Sequence, residues 1–249
     1  MKHDWIQPDW PAPPNVRAFS TTRSGGVSSG PWSSLNLGTR CGDTPSVVEQ
    51  NRARLNETLP SPPYWLHQVH GTVVVRHSGQ FIREVEGDAL VAFKPDRVCA
   101  VLTADCLPVL FCNREGDRVA IAHAGWRGLA DGILQATVQA LDEAPGELLA
   151  WMGPAIGPAA YEVGADVVAA FPREFPAGFT HHNDRFLLDI YVLARLKLAQ
   201  AGVHAVYGGD YCTLNDPQRF FSYRRDGVTG RMASLVWLDD TGGADGKPA

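Results

Sequence analysis

Three short segments contain the residues best suited to metal binding or nucleophilic catalysis: HQVHG (67–71), TADC (103–106) and AHAGWRG (122–128). Each segment contributes one candidate, namely His70, Cys106 and His123. Two imidazoles and one thiolate suit zinc, and three protein ligands with a fourth position open are typical of catalytic zinc sites. The wide intervals between the three residues match no zinc finger. A Cys–His nucleophile pair is an alternative use of the same side chains.

The two histidines of HQVHG lie in YWLHQVHGTVVVR (64–76), whose aromatic and β-branched residues predict a strand. Residues three apart in a strand point to opposite faces, so we expect at most one of His67 and His70 to bind a given ion. The glutamate of the H-E-x-x-H metalloprotease motif is missing. His70 is the better candidate because Gly71 allows close approach of a ligand. A half-buried strand histidine is the alternative.

Cys106 lies in a predicted tight corner at 103–107, because Pro108 disfavours one uninterrupted central strand over 98–112. A neighbouring carboxylate raises the pKa of a thiol, so a free nucleophilic Cys106 is unexpected unless Asp105 points away from it. A metal ion instead deprotonates a coordinating thiol outright. Metal binding would therefore account for a deprotonated thiol at this position, and a buried core cysteine is the alternative.

His123 ends an apolar run and precedes a glycine-rich turn that leads into a helix. Residues between the carboxyl end of a strand and a helix start commonly bind ligands in sheet-based enzymes. The predicted helix start at 125–129 offers free N–H groups to an anion such as phosphate, and Arg127 adds further donors. A core histidine before a turn is the alternative.

The elements that must position these residues are eight strand segments and four helices. Strands are predicted at 16–20, 64–76, 88–93, 98–112, 118–124, 148–156, 205–209 and 233–238, and helices at 44–59, 128–144, 164–171 and 189–201. Strands and helices do not alternate strictly, which disfavours a Rossmann sheet. The sequence predicts an α+β fold, a single-domain sandwich of mixed β-sheets with helices packed outside. We expect this domain to span residues 1–240 and a frayed tail to occupy 241–249.

Composition excludes several classes of protein. The net charge is −5 without a basic block, which argues against nucleic-acid binding. No apolar run approaches the roughly 20 residues that span a bilayer, and the amino terminus lacks the apolar core of a signal peptide. Five cysteines without CxxC spacing predict a reducing, cytoplasmic setting, with Cys99 and Cys112 buried in apolar runs. The sequence leaves the oligomeric state open.

The sequence resembles the YfiH family, also called the laccase-domain or purine nucleoside phosphorylase YfiH family. The likeness runs in order through FSTTRSGGVSSGPWSSLNLG, QVHG, EGDALV, TADCLPV, AHAGWRG, GPAIGPAAYEVG and FFSYRRDGVTGRMASLVWL, and so covers nearly the whole chain. The resemblance implies a metal site of two histidines and one cysteine. These correspond to His70 in QVHG, Cys106 in TADC and His123 in HAGWRG.

The resemblance also implies an enzyme of purine nucleosides, with phosphorolysis of adenosine, inosine and methylthioadenosine and hydrolytic deamination of adenosine at a zinc site. Family descriptions add two alternatives, a copper-dependent polyphenol oxidase and a cysteine or zinc amidohydrolase that edits a peptidoglycan precursor. Eight histidines without a His-x-His pair are too few for a multicopper array, although one such site can take Cu²⁺. The H-x-E and P-C-x-x-C signatures of conventional zinc deaminases are absent.

Five further residues in or near the motifs are candidates for contacts with a nucleoside and phosphate. Arg127 and Arg23 are candidates for the phosphate because each guanidinium offers a fork of donors. Asn36, Tyr161 and Arg224 are candidates for other substrate contacts, each with an exposed or capping role as the alternative.

Overall fold

A three-stranded and a six-stranded sheet lie face to face in the computed structural model, which describes residues 3–80, 85–171 and 176–240. The strands are β1 (Val16–Ser20), β2 (Val74–Arg76), β3 (Ala89–Ala92), β4 (Cys99–Thr103), β5 (Leu107–Asn113), β6 (Val119–Ala124), β7 (Leu148–Met152), β8 (Glu162–Val163), β9 (Phe179–His182), β10 (Arg185–Leu188), β11 (Ala205–Gly208) and β12 (Met232–Leu238). The α-helices are α1 (Pro45–Asn56), α2 (Trp126–Asp131), α3 (Ile133–Ala140), α4 (Ala165–Ala169), α5 (Ile190–Gln200) and α6 (Tyr223–Asp226).

The strand order confirms the predicted mixed sheets. The smaller sheet of the sandwich has the antiparallel order β1-β12-β4, and the larger has the order β11-β7-β5-β6-β3-β2. In the larger sheet the two outer pairs, β11 with β7 and β2 with β3, are parallel, and the inner pairs are antiparallel. A separate antiparallel sheet, β8-β10-β9, was not anticipated from the sequence.

The larger sheet is buried on both faces, which explains its nearly continuous apolar strands. Alternate residues of a strand point to opposite faces. In β5, Val109 and Phe111 join a core with α2, α3 and α5, whereas Leu110 and Cys112 join the core between the two sheets. A third core lies between the outer face of the smaller sheet and α1. The layers are therefore helix, sheet, sheet and helices, as the fold prediction required.

The corner at Cys106 carries the chain from one sheet to the other, since β4 belongs to the smaller sheet and β5 to the larger. This confirms the predicted interruption of 98–112. Pro108 is nevertheless the second residue of a central strand, where its carbonyl accepts from Gly153 N–H. Its missing N–H is tolerated at this end of the strand because the ladder has only just begun.

Three predicted elements differ in extent. The strand expected at 148–156 ends at Met152 as β7. The helix expected at 128–144 is divided into α2 and α3 by Gly132, whose φ of 102° is left-handed. The predicted apolar stripe is buried as expected; its members are Leu129, Ile133, Leu134, Val138 and Leu141. The strand expected over 64–76 is wrong except for β2, because the preceding residues form only isolated bridges at Tyr64 and His67.

The remaining helix predictions agree closely with the structure. Asp189 caps α5 by accepting from Val192 N–H, and Gly202, at a φ of 86°, follows its end. In the described parts of the chain, no helix has the length and apolar character needed to cross a membrane. The frayed tail predicted at 241–249 lies outside the described residues.

Candidate metal centre

His70, Cys106 and His123 converge from a loop, an inter-sheet corner and the end of β6. Their ligand atoms all lie within 4.8 Å of one another. Cys106 Sγ is 3.8 Å from His70 Nε2, and the two imidazole rings are 4.8 Å apart between centroids. Within residues 3–80, 85–171 and 176–240, this is the one cluster of three or more histidine, cysteine or acidic side chains arranged for metal binding.

Asp88 holds two of these three residues from a fully buried position. Its Oδ1 accepts from His123 Nδ1 at 2.8 Å and from the His70 amide at 2.9 Å, and its Oδ2 accepts from the amides of Gly71 at 2.7 Å and Val69 at 3.2 Å. Burial opposes the charged carboxylate, but the hydrogen bonds from His123 and the amides outweigh it and lower the pKa of Asp88. The bond to Nδ1 leaves Nε2 of His123 to face Cys106.

The thiol of Cys106 is activated by its two histidine neighbours. Burial alone raises the pKa of Cys106, but the charge and hydrogen bond of His123 and the hydrogen bond of His70 lower it to about 6. Burial lowers the pKa of His123, whereas the Cys106 thiolate and Asp88 raise it to about 9. The metal-free site thus favours a thiolate beside an imidazolium.

Asp105 does not raise the pKa of the Cys106 thiol as expected, because the two neighbouring side chains point to different partners. The Asp105 carboxylate accepts from Thr213 Oγ1 at 2.6 Å and from the Arg224 amide at 2.7 Å. Asp105 has a left-handed φ of 88°, which turns its side chain out of the corner. The sequence argument against a reactive thiolate therefore fails, and metal binding must be judged from the donor set.

The donor set and the space between the donors fit a zinc ion. A nitrogen and a sulfur ligand on tetrahedral zinc are separated by about 3.5 Å, close to the observed spacing of His70 and Cys106. Gly125 keeps this space open, since a Cβ there would lie 2.8 Å from His70 Cδ2 and 3.1 Å from Cys106 Sγ. Gly128 allows α2 to approach the loop, since its Cβ would lie 2.9 Å from the Gly71 carbonyl oxygen.

Comparison with known proteins places this site in a family. A family model described as multi-copper polyphenol oxidoreductase laccase matches residues 17–239. The purine nucleoside phosphorylase YfiH of Escherichia coli K12 is 54% identical over 238 residues, which cover 94% of this chain and 98% of that protein. The chain belongs to the YfiH family. The resemblance expected from the seven sequence segments is thereby confirmed.

Other relatives agree in sequence and in fold. A purine nucleoside phosphorylase of Pseudomonas aeruginosa is 54% identical over 241 residues, 95% of this chain and 99% of that protein. A Neisseria meningitidis DUF152 protein of known structure is 50% identical with a TM-score of 0.91, over 95% of this chain and 99% of that one. YlmD from Geobacillus stearothermophilus is 33% identical with a TM-score of 0.89, over 96% and 97%. The YfiH fold is therefore shared along nearly the whole length of the chain.

Three of the five predicted substrate contacts gather around Cys106 in this YfiH-family site. The Arg224 guanidinium lies 5.2 Å from the ring centroid of Tyr161, and it donates to the Glu162 carbonyl at 2.7 Å. Burial raises the pKa of Tyr161 well above its ordinary range and the Cys106 charge adds to this, while Arg224 and Arg127 act in the opposite direction. The exposed Arg127 lies 4.4 Å over Trp126. Two cations thus flank a neutral phenol beside the metal ligands.

The other two predicted contacts hold the loop between β1 and α1. Arg23 donates to the carbonyls of Ser33 and Pro217 and lies 4.7 Å over Phe221. Asn36 is fully buried, and both ends of its amide are engaged by loop residues. Their side chains make these structural contacts, and no described contact joins them to the metal cluster.

The sequence pointed to His70 on the assumption that HQVHG forms a strand. HQVHG is not a strand: His70 has a left-handed φ of 62°, and His67 is hydrogen-bonded to Arg40 instead of joining the cluster. Neither Asp88 nor the steric role of Gly125 was anticipated from the sequence. The signal for Asp88 was a carboxylate directly before the apolar strand in EGDALV, where a buried charge requires partners.

Proposed function

We propose that the chain is a purine nucleoside phosphorylase that works at a zinc ion held by His70, Cys106 and His123. The observation that carries this proposal is the convergence of these ligand atoms within 4.8 Å. Two relatives at 54% identity, from Escherichia coli and Pseudomonas aeruginosa, bear the name purine nucleoside phosphorylase. The proposed substrates are phosphate and adenosine, inosine or methylthioadenosine.

In phosphorolysis, a phosphate oxygen forms a bond to C1′ of the sugar as the bond from C1′ to the purine N9 breaks. The products are the sugar 1-phosphate and the free base, which takes up a proton. Arg127 and Arg224 supply positive charge for the phosphate at the rim of the site, and Asp88 orients His123. His70, Cys106 and His123 would hold a zinc ion with a fourth position open, which would supply a Lewis acid and activate water.

We further propose hydrolytic deamination of adenosine at the same centre. Water adds at C6 of the purine, ammonia leaves and inosine is the product. The opening beside Gly125 favours this second activity, because three protein ligands leave room for a fourth. The two reactions occur at different ends of the nucleoside, so they require two poses of the substrate. Phosphate dependence of product formation separates one reaction from the other.

The proposed cofactor is Zn²⁺, with Cu²⁺ as its competitor at nitrogen and sulfur ligands. The family model carries a multi-copper description. A multicopper array needs several groups of ligands, whereas the described residues contain the one group around Cys106. This argues for a single metal ion. The remaining alternative is an amidohydrolase in which a metal-free Cys106 is the nucleophile.

The test replaces Cys106 and His123 separately with Ala and measures zinc content together with phosphate-dependent release of adenine from adenosine. Wild type is expected to hold one zinc ion per chain, and both variants to lose the metal and the activity. Cys212→Ala is the control, because this thiol accepts from the Gly157 amide outside the cluster. Adenine release that persists in both cluster variants contradicts the proposal.

Two further measurements address the alternatives. Wild type purified without metal, yet active in hydrolysing peptide-like amides, would favour the cysteine amidohydrolase. Oxidation of a phenolic dye that survives chelation and scales with protein concentration would favour the oxidase. The phosphorylase proposal expects neither result.

A further inference from the structure

One buried carboxylate contacts both histidines of the proposed metal site, His123 through its imidazole ring and His70 through its backbone amide. We propose that Asp88 is a positioning residue that assembles His70 and His123 before the metal binds and thereby sets the affinity for zinc. The inference rests on the proposed zinc site. Asp88 is then the residue that makes this site rigid in the metal-free protein.

Asp88 fixes the orientation of the imidazole ring of His123. Asp88 Oδ1 accepts from Nδ1 of this ring at 2.8 Å, and both side chains are almost completely buried. A proton fixed on Nδ1 leaves Nε2 directed toward Cys106, where its lone pair becomes available to a metal ion once Nε2 is deprotonated. Such a carboxylate–histidine pair fixes the tautomer and the orientation of a metal ligand.

Asp88 also holds the backbone around His70. Three successive amides, of Val69, His70 and Gly71, donate to the two oxygens of Asp88. His70 is held at a φ of 62°, a left-handed conformation that residues other than glycine rarely adopt. Such strained conformations persist where the surroundings over-determine them. The carboxylate supplies that constraint, because it binds the strained residue and both of its neighbours.

The carboxylate is itself anchored in the larger sheet, whereas the loop that it holds is not. Asp88 immediately precedes β3, its amide donates to the Val73 carbonyl, and its carbonyl accepts from the His123 amide at 2.7 Å. The larger sheet therefore fixes the position of Asp88, and Asp88 in turn fixes the loop that contains His70. Four N–H groups already compensate the buried charge, so this arrangement does not depend on a metal ion.

Asparagine at position 88 keeps the shape of the side chain but cannot make the same bonds. One of its two terminal atoms is an NH₂ group, which must face amides or an imidazole N–H that also donate. We expect Asp88→Asn to weaken zinc binding by 10- to 100-fold, the usual effect of losing such an outer partner. Cys106 contributes its thiolate unchanged, so some binding remains.

The experiment measures the zinc dissociation constant of wild type and Asp88→Asn by competition with a chelator, with the fold of each checked by circular dichroism. Asp189→Asn is the matched control, because Asp189 also accepts from a backbone amide, that of Val192, but touches no ligand. Zinc affinity of the control is expected to equal that of wild type. A folded Asp88→Asn protein with wild-type affinity overturns the inference, and so does an equal loss in the control.

A second measurement needs no variant and covers the case in which Asp88→Asn fails to fold. Amide hydrogen exchange of zinc-free wild type is expected to show protection at His70 and Gly71. Protection that appears only after zinc is added overturns the inference, because the metal would then order the loop. A wild type that binds no zinc at all refutes the proposed metal site itself, which the failure of Asp88→Asn alone does not.

Discussion

A Cβ atom at Gly125 would lie only 3.1 Å from Sγ of Cys106. The backbone of Gly125, at φ −62° and ψ 157°, is open to alanine, so the obstacle is steric contact with Cys106 and with His70. We expect Gly125→Ala to displace these ligands and to weaken zinc binding at least 10-fold. Chelator competition measures the loss.

Gly146 provides the control for this substitution. It lies in a short surface turn, and a Cβ there would have no neighbour within 4 Å. Gly146→Ala is expected to leave zinc affinity and catalysis unchanged. Full zinc affinity in Gly125→Ala would show that the opening beside Cys106 is not where the metal lies.

Arg127 is expected to act on phosphate rather than on the metal. Its guanidinium is exposed and stacks on Trp126. Its positive charge acts to lower the pKa of Tyr161, which lies beside Cys106. Loss of one charged contact of about 1.4 kcal/mol corresponds to a tenfold change in affinity. We expect Arg127→Gln to raise the KM for phosphate about tenfold and to leave adenosine deamination unchanged, as steady-state kinetics of the two reactions would show.

Arg114→Gln is the matched control, because Arg114 is exposed and its ion pair with Glu147 spans 3.8 Å at the surface. Its KM for phosphate is expected to equal that of wild type. An unchanged phosphate KM in Arg127→Gln removes this residue from the proposed phosphate site. A fall in both reactions would instead assign Arg127 to nucleoside binding.

The two-sheet sandwich was predictable because the sequence patterns that indicate its strands and helices are local. In β5, Val109 and Phe111 alternate with Leu110 and Cys112, and the two sets fill different cores. Gly202 ends α5 where a left-handed residue is required. The break at Gly132 was not predictable, because a single glycine is tolerated within a helix and only packing decides whether the helix ends there.

The candidate metal ligands were predictable from residue type, strand ends and family resemblance. The carboxylate of Asp88, which holds two of them in place, was not. Asp88 lies 18 residues from His70 and 35 from His123 in the chain, and only folding brings its oxygens to their N–H groups. The strand expected at 64–76 failed for the same reason, since the amides of 69–71 pair with that carboxylate instead of with a neighbouring strand.

Asn36 is expected to contribute to stability rather than to catalysis. Its Oδ1 accepts from the amides of Gly38 and Arg231, both at 2.9 Å, and its Nδ2 donates to Asp43 at 2.9 Å. Alanine removes this partner from the amides of Gly38 and Arg231, at roughly 1–3 kcal/mol for each, whereas Asp43 still accepts from Ser28 Oγ. We expect Asn36→Ala to lower the free energy of unfolding in urea by about 3 kcal/mol and to leave KM values of the folded fraction unchanged.

The control for Asn36 is Asn56→Ala. Asn56 Oδ1 is buried and has no hydrogen-bond partner among the described residues, so its removal is expected to cost less than about 1 kcal/mol. A raised KM in Asn36→Ala, with stability preserved, would return Asn36 to the list of substrate contacts. Equal destabilisation by both variants would contradict the account of its hydrogen bonds.

His77, seven residues after His70 in the chain but outside the metal cluster, makes the fold sensitive to acid. Its Nδ1 accepts from the Gly79 amide, and its buried Nε2 has no partner among the described residues. Burial, and then the charge of Arg97, lowers the pKa of His77 from 6.5 to about 4. The unfolded chain therefore takes up a proton at a higher pH than the folded chain does, and stability is lost as the pH falls from 6.5 toward 4.

We expect this loss to amount to about 1–2 kcal/mol, because partial exposure of His77 screens the full effect of its pKa shift. His77→Phe keeps an aromatic ring beside Tyr64, whose ring centroid is 4.9 Å away, but it cannot be protonated. The variant should therefore lose less stability than wild type between pH 6.5 and 4 in urea unfolding. At pH 8 the histidine is neutral in both states, so the difference there measures packing and the lost hydrogen bond from the Gly79 amide. Parallel stability curves across the whole range would show that His77 does not cause the acid sensitivity.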